Sequence, residues 1–415
     1  MADHRPSGRF SSNVRWTLVG TAANSAGTWL LIVILARSSG AAEVGIYAMA
    51  LALTAPVFSF AGLQMRTLLA SDPAGLYTFS EYLRVTLLAT GAGVAGCLIL
   101  AALVADGGGG WLVVGAVCAM RAADALGEVY FGLWQRGERM QVIGVGRVLQ
   151  AAASIAFVTA ACALGFGASG AAVAGAVGSV ILLAYLWRKT AGDRELGVIA
   201  APRASSWPRL GGLALQGLPL GVIVLLGALQ ANVPRYFVEQ RAGQVALGLF
   251  AAASQLTASG NVFVGALGAA ALPRLAATRA TGSAGFYALT RRLCLAGAGL
   301  GLAGVALSAL LGRQVLELLY RPEFGAAAQV LLVLSVAAGL GFVASFLGYA
   351  LTASRVIAIQ PVLLVATLVV LIALCALLVP RQGEVGAAWA LVAGSAVQVV
   401  GSWVALRRAR PLAEA

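Results

Sequence analysis

The sequence predicts an all-α polytopic membrane protein, with about twelve transmembrane helices in two six-helix lobes related by a pseudo-two-fold axis along the membrane normal. Three observations carry that prediction. Of 415 residues, 60% are hydrophobic and only 10% charged, with a mean hydropathy of +0.91, whereas a soluble domain is about a quarter charged. Apolar runs of about 20 residues, long enough to cross a bilayer core of about 30 Å as a helix, recur from residue 14 almost to the end. Short motifs also recur in the same order in the two halves.

The twelve expected spans are 14–36, 44–66, 83–105, 111–134, 141–164, 170–188, 210–232, 244–272, 288–311, 326–352, 357–380 and 385–406. Strand alternation of the outer-membrane type is missing, and a span must satisfy its own backbone hydrogen bonds, which leaves helices. The first span is long enough to act as its own insertion signal.

The repeat is read from three pairs. "GAAVAGAVGS" (170–179) matches "GAAWALVAGS" (386–395) in the sixth and twelfth spans, "CAL" at Cys162 recurs at Cys375, and "GIYAMA" (45–50) resembles "GLFAAA" (248–253). Six spans is an even number, so both halves enter from the same side and the repeat is parallel. The expected domains are an N-terminal lobe 1–189, a cytoplasmic linker 190–209 and a C-terminal lobe 210–415. The stretch "WRKTAGDRELGVIAAPRASSWPRL" around that linker carries five Lys and Arg residues and two prolines.

The net charge of +13 would point to nucleic acid in a soluble protein, but its placement says otherwise. With a cytoplasmic N-terminus, 21 of the 28 Lys and Arg residues fall on that side, 6 on the far side, and Arg121 within a span. This follows the positive-inside rule and predicts a plasma-membrane protein with both termini cytoplasmic, attracted to anionic lipid. All five cysteines fall in apolar spans without metal-ligand spacing, and the one histidine is His4. No metal and no cofactor is expected beyond a coupling proton or sodium ion.

The fourth span holds the feature an ordinary apolar helix lacks. "AVCAMRAADALGEVY" (116–130) places Arg121, Asp124 and Glu128 within about a 60° arc at 100° per residue. Facing lipid, each would cost roughly 2.5–3.5 kcal/mol, so the three face protein or water. One reading is an internal network in which Arg121 bridges Asp124 at i+3 and Glu128 bonds an adjacent helix. The other is a polar cavity where Arg121 attracts an anion and the carboxylates couple to a proton or cation. Arg15 and Asn24 on the first span, Arg66 on the second, Gln230 and Asn232 on the seventh, Arg235 just past its end and Gln255 on the eighth are further candidates for such a path. For Arg15, Arg66 and Arg235 the competing reading is snorkelling to headgroups. For Asn24 and Gln255 it is interhelical hydrogen bonding.

Several segments together resemble the oligosaccharide flippases. These are "LQMRTLLASD" (63–72), "YFGLWQRGERM" (130–140), "NVPRYF" (232–237), "LPRLA" (272–276), "LLYRPEFGAAAQVLLVLS" (318–335) and "VPRQGEVGAAWALV" (379–392). That family is the polysaccharide-biosynthesis branch of the multidrug/oligosaccharidyl-lipid/polysaccharide exporter (MOP) superfamily. The resemblance implies two lobes in a V, a cavity lined by the first, second, seventh and eighth helices, and alternating access. It implies an isoprenoid-diphosphate-linked oligosaccharide as cargo, with polysaccharide polymerase and glycosyltransferases as partners. It gives the diphosphate to a cationic residue, Arg121, Arg15, Arg66 or Arg235. The chain departs from the lipid-linked peptidoglycan-precursor flippases in that Asp124 and Glu128 accompany the arginine.

The alternatives are a cation-coupled small-molecule exporter of the same superfamily and a membrane glycan polymerase or glycosyltransferase. An enzyme of that kind needs a catalytic loop on the far face, where Glu43, Asp106, Glu239, Glu317, Glu323 and Glu384 are scattered over short turns. The expectation is therefore a transporter and not an enzyme.

Overall fold

The computed structural model describes residues 7–72, 75–104, 110–193, 205–281, 283–356 and 358–408. His4, residues 194–204 of the expected linker and the tail from 409 lie outside the described residues. Among the described residues there is no strand. The helices are α1 (Ser7–Ser39), α2 (Ala41–Ala61), α3 (Met65–Ala70), α4 (Phe79–Val104), α5 (Gly110–Arg136), α6 (Met140–Ala163) and α7 (Gly167–Ala191). They continue as α8 (Trp207–Ala258), α9 (Gly260–Thr281), α10 (Ser283–Leu319), α11 (Ala328–Ala353) and α12 (Ile359–Arg408), with a 3₁₀ turn at Pro322–Ala327 before α11.

Nine helical stretches among the described residues are long and apolar enough to cross a membrane. Two of them, Trp207–Arg279, which runs through α8 and α9, and Ile359–Arg408, are long enough to cross twice and are each broken at a glycine. Backbone with φ 82° at Gly243 divides α8, and φ 57° at Gly383 divides α12. That left-handed region costs an L-residue about 1–2 kcal/mol and glycine almost nothing, so both reversals fall on glycine. The charged α5, 27 residues long, completes the set of about twelve expected from the sequence.

The chain divides into two compact units, one of residues up to Ser39 and Ala50–Ala228, the other of Gly40–Met49 and Leu229–Ala415. The first is built around a core of Leu63, Met65, Phe79, Tyr82, Phe131 and Trp134 with Leu182 and Leu186 of α7. Phe79 and Tyr130 meet edge to face at 5.1 Å, and the Trp134 indole N–H donates to Thr190 Oγ1 at 3.1 Å. The indole therefore has a polar partner although it is buried.

The second span does not run as one helix. α2 stops at Ala61, Leu63 and Gln64 take positive φ, and α3 sets off in a new direction. Leu63 is buried where α8 presents Gly217, whose place for a Cβ lies 2.6 Å from the Leu63 carbonyl oxygen. Two consecutive left-handed non-glycine residues cost of order 1–3 kcal/mol each and persist only where packing fixes them. Their effect is to lay α3 across α5.

In this unit the loop before α4 is closed at the Glu81 carboxylate. The Thr78 N–H donates to Glu81 Oε2 at 2.8 Å, Arg209 of α8 reaches Glu81 Oε1 at 2.7 Å, and its Nη2 donates to the Leu76 carbonyl at 2.7 Å. One carboxylate thus satisfies a helix N-terminus and a guanidinium together.

The second unit packs through aromatics and glycines. Phe286, Phe342, Phe346, Leu275, Leu351 and Leu406 are buried together. α10 and α11 cross where Gly301 faces Gly339, and a Cβ at Gly339 would stand 3.0 Å from the Gly301 Cα. Small residues at a crossing let helices approach without a hydrophobic driving force, which lipid does not supply. The repeated motifs meet in this unit as well, since Gly45 of "GIYAMA" leaves no room for a Cβ against Gln244, nor Gly248 of "GLFAAA" against Ala41. The Ala41 N–H donates to Glu323 Oε1 at 2.9 Å, fixing the first turn of α2 there.

Candidate functional site

Three close approaches assemble a polar network in the first unit. On α5, a Cβ at Gly132 would lie 2.9 Å from the Arg66 carbonyl oxygen and 3.2 Å from its Cα. α3 therefore rests directly on α5, one turn from Glu128. On α1, a Cβ at Gly20 would lie 3.2 Å from the Cα of Gly144 on α6 and one at Gly27 2.8 Å from the Ala151 Cβ, so Asn24 between them faces Arg147. On α7, Gly178 would place a Cβ 2.9 Å from the Gln150 carbonyl oxygen, which sets Ser179 beside the Gln150 side chain.

The network centres on Glu128. Its Oε2 accepts from Arg66 Nη1 at 2.9 Å and its Oε1 from Arg147 Nη2 at 2.6 Å. Each arginine is also held by neutral groups. Arg66 Nε donates to Gln135 Oε1 at 3.0 Å. Arg147 Nη1 donates to Gln150 Oε1 at 2.9 Å and to Asn24 Oδ1 at 3.2 Å. Both guanidinium groups lie over the Phe131 ring, at 5.4 and 4.6 Å from its centroid. Gln150 carries the chain onward, its Nε2 donating to Asp124 Oδ1 at 2.8 Å and to Ser179 Oγ at 3.0 Å.

These charges are partly desolvated. The Arg147 side chain is 17% exposed, and those of Arg66 and Glu128 are 36% exposed. At an effective dielectric of about 20, opposite charges about 4 Å apart attract by roughly 4 kcal/mol. That offsets the desolvation cost only while the remaining donors are satisfied, and the amides of Asn24, Gln135 and Gln150 satisfy several of them. Arg121 stands apart from this bonding. Its Nε is buried without a hydrogen-bond partner among the described residues, although its charge acts on Asp124 together with that of Arg147. Three arginines against two carboxylates leave one positive charge in excess.

The structure thus brings together Asn24, Arg66, Asp124 and Glu128 of the candidate residues, and sets Arg121 near Asp124. The i+3 bridge from Arg121 to Asp124 is absent among the described residues. Asp124 accepts instead from the neutral Gln150 on α6. Arg66 does not snorkel, since the break at Leu63 and Gln64 turns it toward Glu128. Arg15 is exposed on α1.

In the second unit Arg235 Nη1 donates to Asn232 Oδ1 at 3.3 Å and its Nη2 approaches Ser254 Oγ at 3.5 Å. Gln230 points elsewhere, donating to the Leu364 carbonyl at 2.7 Å. Gln255 is half-buried, and its carbonyl accepts from Ser259 Oγ at 3.3 Å.

Sequence reasoning missed Arg147, Gln150, Ser179 and Phe131. Counting charges assigned Arg147 to a cytoplasmic connection, yet it stands two turns inside α6. The available signal was the pair Arg147 and Gln150, three residues apart and so on one helix face. Ser179 ends the repeated "GAAVAGAVGS", which was read for its pattern rather than for its hydroxyl.

No protein-family model matches the chain. It is 22% identical over 400 residues to a capsular polysaccharide biosynthesis protein of Staphylococcus aureus, CapF, covering 95% of this chain and 99% of that protein. Among solved structures it is similar to the inward-facing conformation of a multidrug resistance MATE family transporter of the MOP superfamily, with a TM-score of 0.78 at 16% identity over 93% of this chain and 94% of that one. It is similar to the lipid II flippase MurJ in an inward closed conformation, with a TM-score of 0.77 at 11% identity over 95% and 87%. The chain has the fold of the MOP-superfamily transporters, and its likeness to a capsular polysaccharide protein over nearly its whole length bears out the resemblance to the polysaccharide-biosynthesis branch.

Proposed function

We propose that the protein translocates an isoprenoid-diphosphate-linked oligosaccharide from the cytoplasmic to the outer leaflet of the plasma membrane, by alternating access, for surface polysaccharide synthesis. The observation that carries this reading is the Glu128 network. Two guanidiniums converge on one acidic group within the membrane-spanning part of the chain, and the surrounding charges sum to a positive excess. That is the electrostatics of an anion site, and a diphosphate is the anionic part of such a cargo. A sugar diphosphate cannot cross hydrocarbon unaided because its polar groups would lose their hydration, while its lipid tail stays in the bilayer. The step needs no covalent chemistry. The likeness to a capsular polysaccharide protein and to a flippase for lipid II points in the same direction.

On this reading Arg66, Arg121 and Arg147 engage the head group, with Arg15, Asn232, Arg235 and Gln255 further along the path, and a proton or sodium gradient drives the cycle. Both termini lie in the cytoplasm. The glycosyltransferases that build the unit and the polymerase that consumes it act before and after transport.

A second reading has its own support. The likeness to the multidrug transporter is as strong as that to MurJ, and two carboxylates on one span suit coupling in a small-molecule exporter.

Deletion of the gene separates the two. Loss of surface polymer with accumulation of complete lipid-linked units, reversed by the wild-type gene but not by Arg121→Ala or Arg147→Ala, is the expected result. Normal polymer together with sensitivity to toxic organic cations would transfer the assignment to the exporter.

A further inference from the structure

We infer that Glu128 is the resident anion of an exchange site, holding the places on Arg66 and Arg147 that the phosphate oxygens of the cargo take over. The inference rests on the proposed diphosphate cargo and adds how that cargo is gripped and let go.

Four observations carry it. First, each oxygen of the Glu128 carboxylate is bound by a guanidinium from a different element, at 2.9 and 2.6 Å. A phosphate group clamped between two arginines offers the same pattern of charge-assisted bonds with more oxygens and more charge. Second, the arginines do not depend on Glu128 for their positions. Gln135 holds Arg66, Asn24 and Gln150 hold Arg147, and both groups rest over Phe131, so the carboxylate can leave and the cationic pair remains. Third, Glu128 and Arg66 are each 36% exposed in side chain while Arg147 is 17% exposed. An incoming anion meets Arg66 first and Arg147 second. Fourth, Asp124 cannot serve this role, because its Oδ1 is bonded to the neutral Gln150 and it makes no ion pair with these arginines among the described residues.

The exchange explains why a carboxylate stands in an anion site at all. Two bare guanidiniums, fixed close together on one ring, would hold a diphosphate too tightly to release it. A carrier must bind well enough to load and weakly enough to unload. Glu128 lowers the affinity by competing for the same donors, and it compensates the arginines once the cargo has left, so that the empty protein can return.

The test is binding of inorganic pyrophosphate and of farnesyl diphosphate to the purified full-length protein in lipid nanodiscs, by titration calorimetry, for wild type and two variants. Glu128→Gln removes the competing charge and keeps the shape, and should bind both diphosphates about tenfold more tightly while export in cells falls. Glu128→Asp keeps the charge but shortens the reach, so that it cannot bridge both arginines, and should bind a few-fold more tightly than wild type. It provides the reading if Glu128→Gln does not fold.

A purely structural ion pair predicts the opposite. Weaker or unchanged diphosphate binding by Glu128→Gln, or by Glu128→Asp where that alone folds, would overturn the exchange while leaving the flippase reading intact. Failure of wild type and variants alike to bind either diphosphate, with an organic cation bound instead, would remove the flippase reading and the exchange with it.

Discussion

The fourth and tenth of the expected spans, one in each unit, show what the fold requires and what it leaves to function. In the second unit the span is α11, "AQVLLVLSVAAGLGFVASFLGYALTA", with no charged residue. It is held by apolar burial of Phe342 and Phe346, by the Gly301 to Gly339 crossing, and by a hydroxyl pair, Ser308 to Ser335 at 2.8 Å. In the first unit it is α5, which carries Arg121, Asp124 and Glu128 and draws partners from α1, α3, α6 and α7. The span α11 therefore packs without an ionic network of its own. Charge within α5 incurs a desolvation cost that α11 avoids, and the α5 network is where function is to be sought.

Substitutions should separate the two helices. The largest effect is expected from Arg147→Gln, which leaves Glu128 with one guanidinium and Gln150 without a donor. Thermal unfolding in detergent should register a loss of about 3 kcal/mol, and surface polymer should disappear at normal membrane abundance. Full export by this variant would erase the distinction between α5 and α11.

Next is Gly132→Ala, whose Cβ meets the Arg66 backbone at 2.9 Å and pushes α3 from α5, at roughly 1–3 kcal/mol. Its counterpart Gly339→Ala crowds Gly301 to a similar degree. Both should melt earlier, but only the α5 variant should lose export per molecule of protein. Equal losses of export would mean that helix spacing in general, and not the position of Arg66, limits transport.

Ser335→Ala removes one hydroxyl from α11 and should cost about 1 kcal/mol with export unchanged. A transport defect there would show that the apolar span also serves the path.

The smallest effect concerns a carboxylate near α5 but outside the spans. Burial of Asp72 works against ionisation, but hydrogen bonds from the Leu76 and Tyr77 N–H groups and the Tyr82 hydroxyl, with the charge of Arg136, outweigh it and hold the carboxyl below its ordinary 3.8. A depressed carboxyl contributes stability above its unfolded pKa and loses it as pH falls through the folded one. The acid limb of a melting-temperature profile should therefore steepen below about pH 4 in wild type and flatten in Asp72→Asn. An unchanged limb would show that this corner of the first unit does not sense acid.

Much of the fold was legible because lipid imposes a simple rule, that apolar runs of span length become helices. Gly243 and Gly383 were less so, since a glycine that reverses a helix and one that packs within it look alike in so glycine-rich a chain. The charged face of α5 was read correctly as needing protein or water, because the cost of charge in hydrocarbon is local to the helix. Its partners were not, because Arg147 lies near the start of a span and looks like a headgroup arginine until the glycine seams of α1, α6 and α7 are known.

The sequence by itself determined that the chain crosses the membrane about twelve times as helices and that three ionisable groups share one face of the fourth span. Hydrophobicity and helical period are properties of a segment alone, and they need no partner. Only the tertiary structure decided that Glu128 joins Arg66 to Arg147, that Asp124 takes a neutral amide, and that the buried Arg121 Nε has no hydrogen-bond partner among the described residues. Which side chains meet depends on how closely two backbones approach, and that distance was set at Gly132, Gly20, Gly27 and Gly178, each within about a turn of a network residue but far along the chain from the backbone it meets.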